Sequence, residues 1–131
     1  MSTAVRLASV ALALGLAACS SDRAILNIKN AATNQPMPQG TIVRATGTGA
    51  FKNAAPLYGT ADSGGEVALA LRPGDWNIGC FANQVAADTN GAFLAFLLPV
   101  PDGKQFQPFQ MVQRSPDGTT WLVSVRPAAA K

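Results

Sequence analysis

Clusters of Gly, Pro, Asn, Asp and Ser interrupt the chain at intervals of about eight to twelve residues from position 24 onward, the spacing expected of short strands joined by turns. Between these stops the residues alternate. Thr41, Val43 and Ala45 share one face of a strand and Ile42 and Arg44 the other. Val67, Leu69 and Leu71 oppose Ala68 and Ala70, and Trp76, Ile78 and Cys80 fall on one side of their run. A period of two places successive side chains on opposite faces of a sheet. No helix-length amphipathic segment follows residue 23, and no internal repeat is present. The expected strands are 24–30, 40–46, 57–61, 66–71, 76–82, 92–100, 106–114 and 119–126. Loops are expected at 47–56 and 83–91. The pattern predicts an all-β fold, a small antiparallel β-sandwich of about seven to eight strands, spanning 24–126, with a frayed, flexible tail over 127–131.

The N-terminal residues follow a different rule. Arg6 precedes an apolar run from Leu7 to Ala18, broken only by Ser9 and Gly15. A bilayer span needs about 20 apolar residues, so this helical segment suits a cleaved signal peptide at 1–18. It ends Leu16-Ala17-Ala18-Cys19, which resembles the lipobox of bacterial lipoproteins. That resemblance implies diacylglyceryl transfer to the Cys19 thiol and removal of everything before it. Each buried methylene adds about 0.8 kcal/mol, so one acyl chain is a marginal anchor and two or more a stable one. Residues 19–23 then form the acylated cysteine and a short tether, which lifts the domain by no more than roughly 15–20 Å. Ser20 after the cysteine, by resemblance to Gram-negative lipoproteins, implies the outer membrane, facing the periplasm.

The stretch from Leu26 to Phe81 resembles the carboxypeptidase-regulatory or transthyretin-like (prealbumin-type) β-sandwich family, an Ig-like arrangement. The matching residues are Asn30 to Pro38 before Val43, the turn Asp62-Ser63-Gly64-Gly65 before Val67, and Leu71-Arg72-Pro73-Gly74-Asp75-Trp76. The resemblance implies two consecutive hairpins. The second would turn on a type II Pro73-Gly74 corner, with Trp76 plugging the core. Residues from Asn83 onward carry no such pattern.

Catalytic chemistry has little to draw on. The chain contains no histidine, which removes the commonest general base and metal ligand. Asp22, Asp62, Asp75, Asp88, Asp102 and Asp117 fall in turns or the tether, and only Glu66 opens a strand. Asp88-Thr89-Asn90-Gly91 reads as a turn rather than a calcium loop, and Gly47-Thr48-Gly49 lacks the strand–helix setting of a phosphate cradle. No enzyme activity, cofactor or metal is expected. Loss of Arg6 leaves nine basic against seven acidic residues, scattered along the chain, so no nucleic-acid partner is expected either. With Cys19 acylated, Cys80 has no internal partner; it is either a buried apolar residue or an intermolecular thiol.

One run breaks the alternation. Phe93-Leu94-Ala95-Phe96-Leu97-Leu98-Pro99-Val100 is apolar on both faces, whereas an antiparallel strand with one wet face should alternate. Either a loop covers its outer face, or one face meets a partner or the membrane. The candidate partner-binding residues are Phe93, Leu94, Phe96 and Leu98. The functional expectation is a non-enzymatic, membrane-anchored envelope lipoprotein, an accessory or structural subunit of a larger secretion or surface complex. The alternative is a glycan- or peptide-binding module displayed at the membrane surface, which would need exposed Trp76, Trp121 or Tyr58.

Overall fold

The computed structural model describes residues 23–101 and 106–128. Cys19 lies outside the described residues. Eight strands form two antiparallel four-stranded sheets, so the chain is an all-β sandwich. One sheet has the order β4-β1-β8-β7 and the other β3-β2-β5-β6. The strands are β1 (Ala24–Asn30), β2 (Ile42–Gly47), β3 (Leu57–Thr60), β4 (Glu66–Leu69), β5 (Gly74–Phe81), β6 (Leu94–Val100), β7 (Phe109–Arg114) and β8 (Thr120–Pro127).

Alternation builds the core. Leu26 and Ile28 of β1, Val43 of β2, Ile78 of β5, and Val123 and Val125 of β8 all face the space between the sheets and are buried. Each large aliphatic side chain buried there contributes about 1.5–3 kcal/mol relative to exposure. On the far side of β3 the sheets approach closely. A Cβ on Gly59 would run into the Val67 side chain of β4.

The turns behave differently from the expected hairpins. β3 and β5 belong to one sheet and β4 to the other, so the Asp62–Gly65 turn and the 70–73 link each carry the chain across the sandwich. Asp62 holds its turn by accepting from the Gly64 and Glu66 amides, the local bonding that favours Asp in turns. Gly74 sits at φ +138°, well away from the roughly +80° of a type II turn, so Pro73-Gly74 is a sheet-to-sheet corner. The loop expected at 83–91 contains a helix, α1 (Gln84–Asp88). Asn83 caps it by accepting from the Ala86 amide at 2.9 Å. Asn90 ends it in the left-handed region (φ 58°), and the Gly91 amide donates to Ala86 O at 2.7 Å, a Schellman closure. Pro127 and Ala128, expected as tail, are ordered: β8 runs through Pro127, and the Ala128 amide donates to Arg23 O at 3.0 Å.

Register fixes which connections share an end. Ala24 pairs with Leu69 and Pro127, and Gly74 pairs with Val100. The β2–β3, β4–β5 and β6–β7 connections therefore gather at the pole where Arg23 and Ala128 lie. The other four connections, with α1, occupy the opposite pole. Among the described residues no helix is long and apolar enough to cross a membrane.

Candidate functional site

The four residues singled out in the apolar run do not form one outer surface. β6 alternates: Leu94, Phe96 and Leu98 point into the core, and Ala95, Leu97 and Pro99 point out. Leu94 and Leu98 are fully buried and Phe96 nearly so, so these three supply core packing and not an accessible docking face. Phe93 precedes the strand, half-buried, with its ring tilted against Trp121 at 5.6 Å. The large exposed apolar side chain of the run is Leu97, at 50%, flanked on the same face by the smaller Ala95 and Pro99.

Trp76 and Trp121 are likewise unavailable as open stacking platforms. Trp76 is buried, and its indole N–H donates to Arg72 O at 2.9 Å. Trp121 is half-buried, and its Nε1 has no hydrogen-bond partner. Tyr58 is exposed on the outer face of β3.

The pole beside Arg23 has the more developed surface. The chain leaves β2 at Gly47, where a Cβ would collide with Phe51 backbone, so only glycine admits the fold-back. Thr48 then anchors the loop, its hydroxyl donating to Asp75 O at 2.7 Å. A 3₁₀ turn over Gly49–Phe51 follows. It lays the Phe51 ring on Trp76, with centroids 5.3 Å apart and planes 13° from parallel. Phe51, Ala54, Ala55, Leu57, Ala70 and Arg72 then wall a groove floored by Trp76, about 440 Å³ in volume. A second groove of about 440 Å³ lies at the same pole, between the end of β6 and the start of β7, along Pro99, Val100, Pro101 and Phe109. Phe51 falls within the loop expected at 47–56. The contact that recruits it to Trp76 spans two strands and leaves no local periodicity.

Charged groups are mostly engaged within their own neighbourhoods. Glu66 meets Arg126 at 3.0 Å across the outer face. Asp88 accepts from the Gln84 side chain. The Ser115 hydroxyl and the Thr119 amide both donate to Asp117, and these bonds, the Ser115 one foremost, lower the Asp117 pKa below the ordinary carboxylate value. Among the described residues no group of three or more Cys, Asp or Glu is placed to hold a metal ion. Cys80 is buried in the core, and desolvation pushes its thiol up to about 12. At neutral pH it is a protonated, apolar-packed thiol.

No protein-family model, no curated protein and no solved structure matches the chain.

Proposed function

We propose that this chain is a non-enzymatic, lipid-anchored lipoprotein of the cell envelope, whose sandwich serves as an accessory or structural subunit of a larger assembly. The observation that carries the reading is the Leu16-Ala17-Ala18-Cys19 run, placed four residues before Arg23. Acylation there would tie one pole of the sandwich to the bilayer and leave the other free to meet a partner. The local engagement of the carboxylates and the absence of histidine favour a scaffold over an enzyme. The sandwich is on this reading transthyretin-like, for which the Asp62–Gly65 and Leu71–Trp76 motifs are the support. The glycan-binding alternative is less favoured, because Tyr58 is the exposed aromatic ring and stacking recognition works best with opposed or successive rings.

Metabolic labelling with a palmitate analogue, followed by envelope fractionation, tests the anchor. Label on the wild type and none on Cys19→Ser is the expected result. Equal labelling of both, or a soluble wild type, overturns it. Co-purification from detergent-solubilised envelopes then tests the subunit role; recovery of the chain alone under gentle extraction counts against it.

A further inference from the structure

We propose that the pole containing Arg23 is a seat for an anionic phospholipid surface, holding the sandwich upright on the bilayer. This rests on the anchoring reading above and adds a second, independent attachment to it.

Three observations converge. Distance comes first: Cys19 is five residues from Ala24, where β1 begins, and at about 3.6 Å per residue the acylated cysteine cannot lie more than about 18 Å from that end of β1. Screening in physiological salt has a length of about 8 Å, so basic groups at this pole stay within a few screening lengths of the headgroups. At the opposite pole, a strand length further away, they do not.

Charge is the second. Arg23, Lys52 and Arg72 are all exposed at the anchor-side pole, with Asp75 the described carboxylate there. The far pole carries Asp62, Asp88 and Asp117 against Lys29 and Arg114. Arg126 is held by Glu66, and Arg44 sits at mid-strand over the Phe81 ring at 4.7 Å. Among the described residues the charge is therefore polarised, with its positive end toward the pole where the chain enters. An anionic leaflet attracts the positive end, and basic residues close to such a surface each strengthen attachment.

The third is shape. The connections that frame the positive groups expose Ala54, Ala55, Ala70, Pro73, Pro101 and Pro108. Small apolar residues ringed by Arg and Lys suit the headgroup boundary, where long cationic side chains reach phosphates while their stems and neighbours rest on apolar material. The grooves beside Trp76 and Phe109 open onto this rim.

The test uses the acylated full-length product, purified from envelopes and reconstituted into vesicles of phosphatidylcholine with or without phosphatidylglycerol. Ala55→Cys and Ala32→Cys carry an environment-sensitive fluorophore at the near and far poles; buried Cys80 stays unlabelled. Doxyl-labelled lipid should quench the probe at 55 and not that at 32. The quenching should need phosphatidylglycerol and fall in high salt. Lys52→Gln with Arg72→Gln should reduce the apposed population about fivefold per charge removed, while Lys29→Gln with Arg114→Gln should not. Equal quenching at both poles, or no dependence on phosphatidylglycerol, overturns the proposal. So does apposition that appears only when a detergent extract of envelope proteins is added, which would assign the pole to a protein. Mass spectrometry of Cys19 in the same sample separates the two readings. An unacylated Cys19 removes the anchor, and flotation of that protein with phosphatidylglycerol vesicles then decides the seat by itself.

Discussion

Phe51 lies almost parallel on Trp76, 5.3 Å from ring centre to ring centre, so a loop residue completes the packing of a core strand. Stacked aromatic pairs are worth about 0.5–1.5 kcal/mol beyond the area they bury. Phe51→Ala is therefore expected to cost about 2 kcal/mol in denaturant unfolding. It should also shift Trp76 emission to longer wavelength, read cleanly in a Trp121→Phe background. An unchanged emission maximum would show that the ring does not shield the indole in solution.

The alternation of β6 gives the sharpest stability contrast. Leu98 is fully buried and Leu97 half exposed, although they are neighbours. Leu98→Ala should cost about 2–5 kcal/mol, lowering the melting temperature by about 4 °C or more per kcal/mol. Leu97→Ala should stay within about 0.5 kcal/mol of wild type. Equal losses at both positions in parallel thermal melts would mean that the outer face is covered.

Cys80 predicts a specific alkaline limb. Its folded pKa, near 12, is raised from the ordinary 9.0, so the unfolded chain loses the proton first as pH rises. The stability associated with the neutral thiol is intact below about pH 9 and declines toward pH 12, by up to about 1.4 kcal/mol per pH unit. Cys80→Ala should lack this component, so the difference between wild-type and variant unfolding curves should narrow or reverse over that range. Iodoacetamide at pH 8 should modify Cys80 only after denaturation; rapid native modification, or a disulfide-linked dimer, would contradict its burial.

Asp117 predicts the opposite limb. Its folded pKa is lowered by the Ser115 hydroxyl and the Thr119 amide, so its contribution is present above the ordinary carboxylate pKa and is lost as pH falls through the folded value. Asp117→Asn should melt closer to wild type at low pH than at neutral pH. A constant gap between the two proteins from pH 7 down to pH 2 would argue against the turn bonding.

How far the sequence could be read depended on where each signal is stored. Strand faces are local, and Thr41, Val43 and Ala45, or Trp76, Ile78 and Cys80, are buried as their period implies. The β6 run defeated the same logic because the outward positions Ala95, Leu97 and Pro99 happen to be apolar, which hides an ordinary alternation. Sheet membership is not local at all. Nothing in Arg72-Pro73-Gly74 says whether β5 returns beside β4 or crosses to the other sheet, since that depends on which strands β1 and β2 have already claimed. The helix α1 is five residues long, too short for a 3.6 period, yet its end signals Asn83 and Asn90-Gly91 were there to be read. Phe81 has outward parity in β5 but is fully buried. The Arg44 guanidinium covers it from β2, a contact with no trace in the order of residues. Of the candidate site, only Cys19 is a local signal. The pole beside Arg23 is assembled from separated segments and becomes visible only when the register is known.

The hydrogen bond from Ala128 to Arg23 closes β1 against the last strand at the pole where the chain enters the sandwich. Because β1 is held between β4 and β8, the direction of a mechanical load decides how the domain yields. Tension between residue 23 and something gripping the opposite pole acts along the strand axis. It strains the rungs of both neighbouring ladders simultaneously, so they must fail together. Tension between residues 23 and 128 acts across adjacent antiparallel ends and opens the β1–β8 ladder one rung at a time, at far lower force. The sandwich thus resists a lengthwise pull on its first strand, while its last strand, pulled from residue 128, peels away easily.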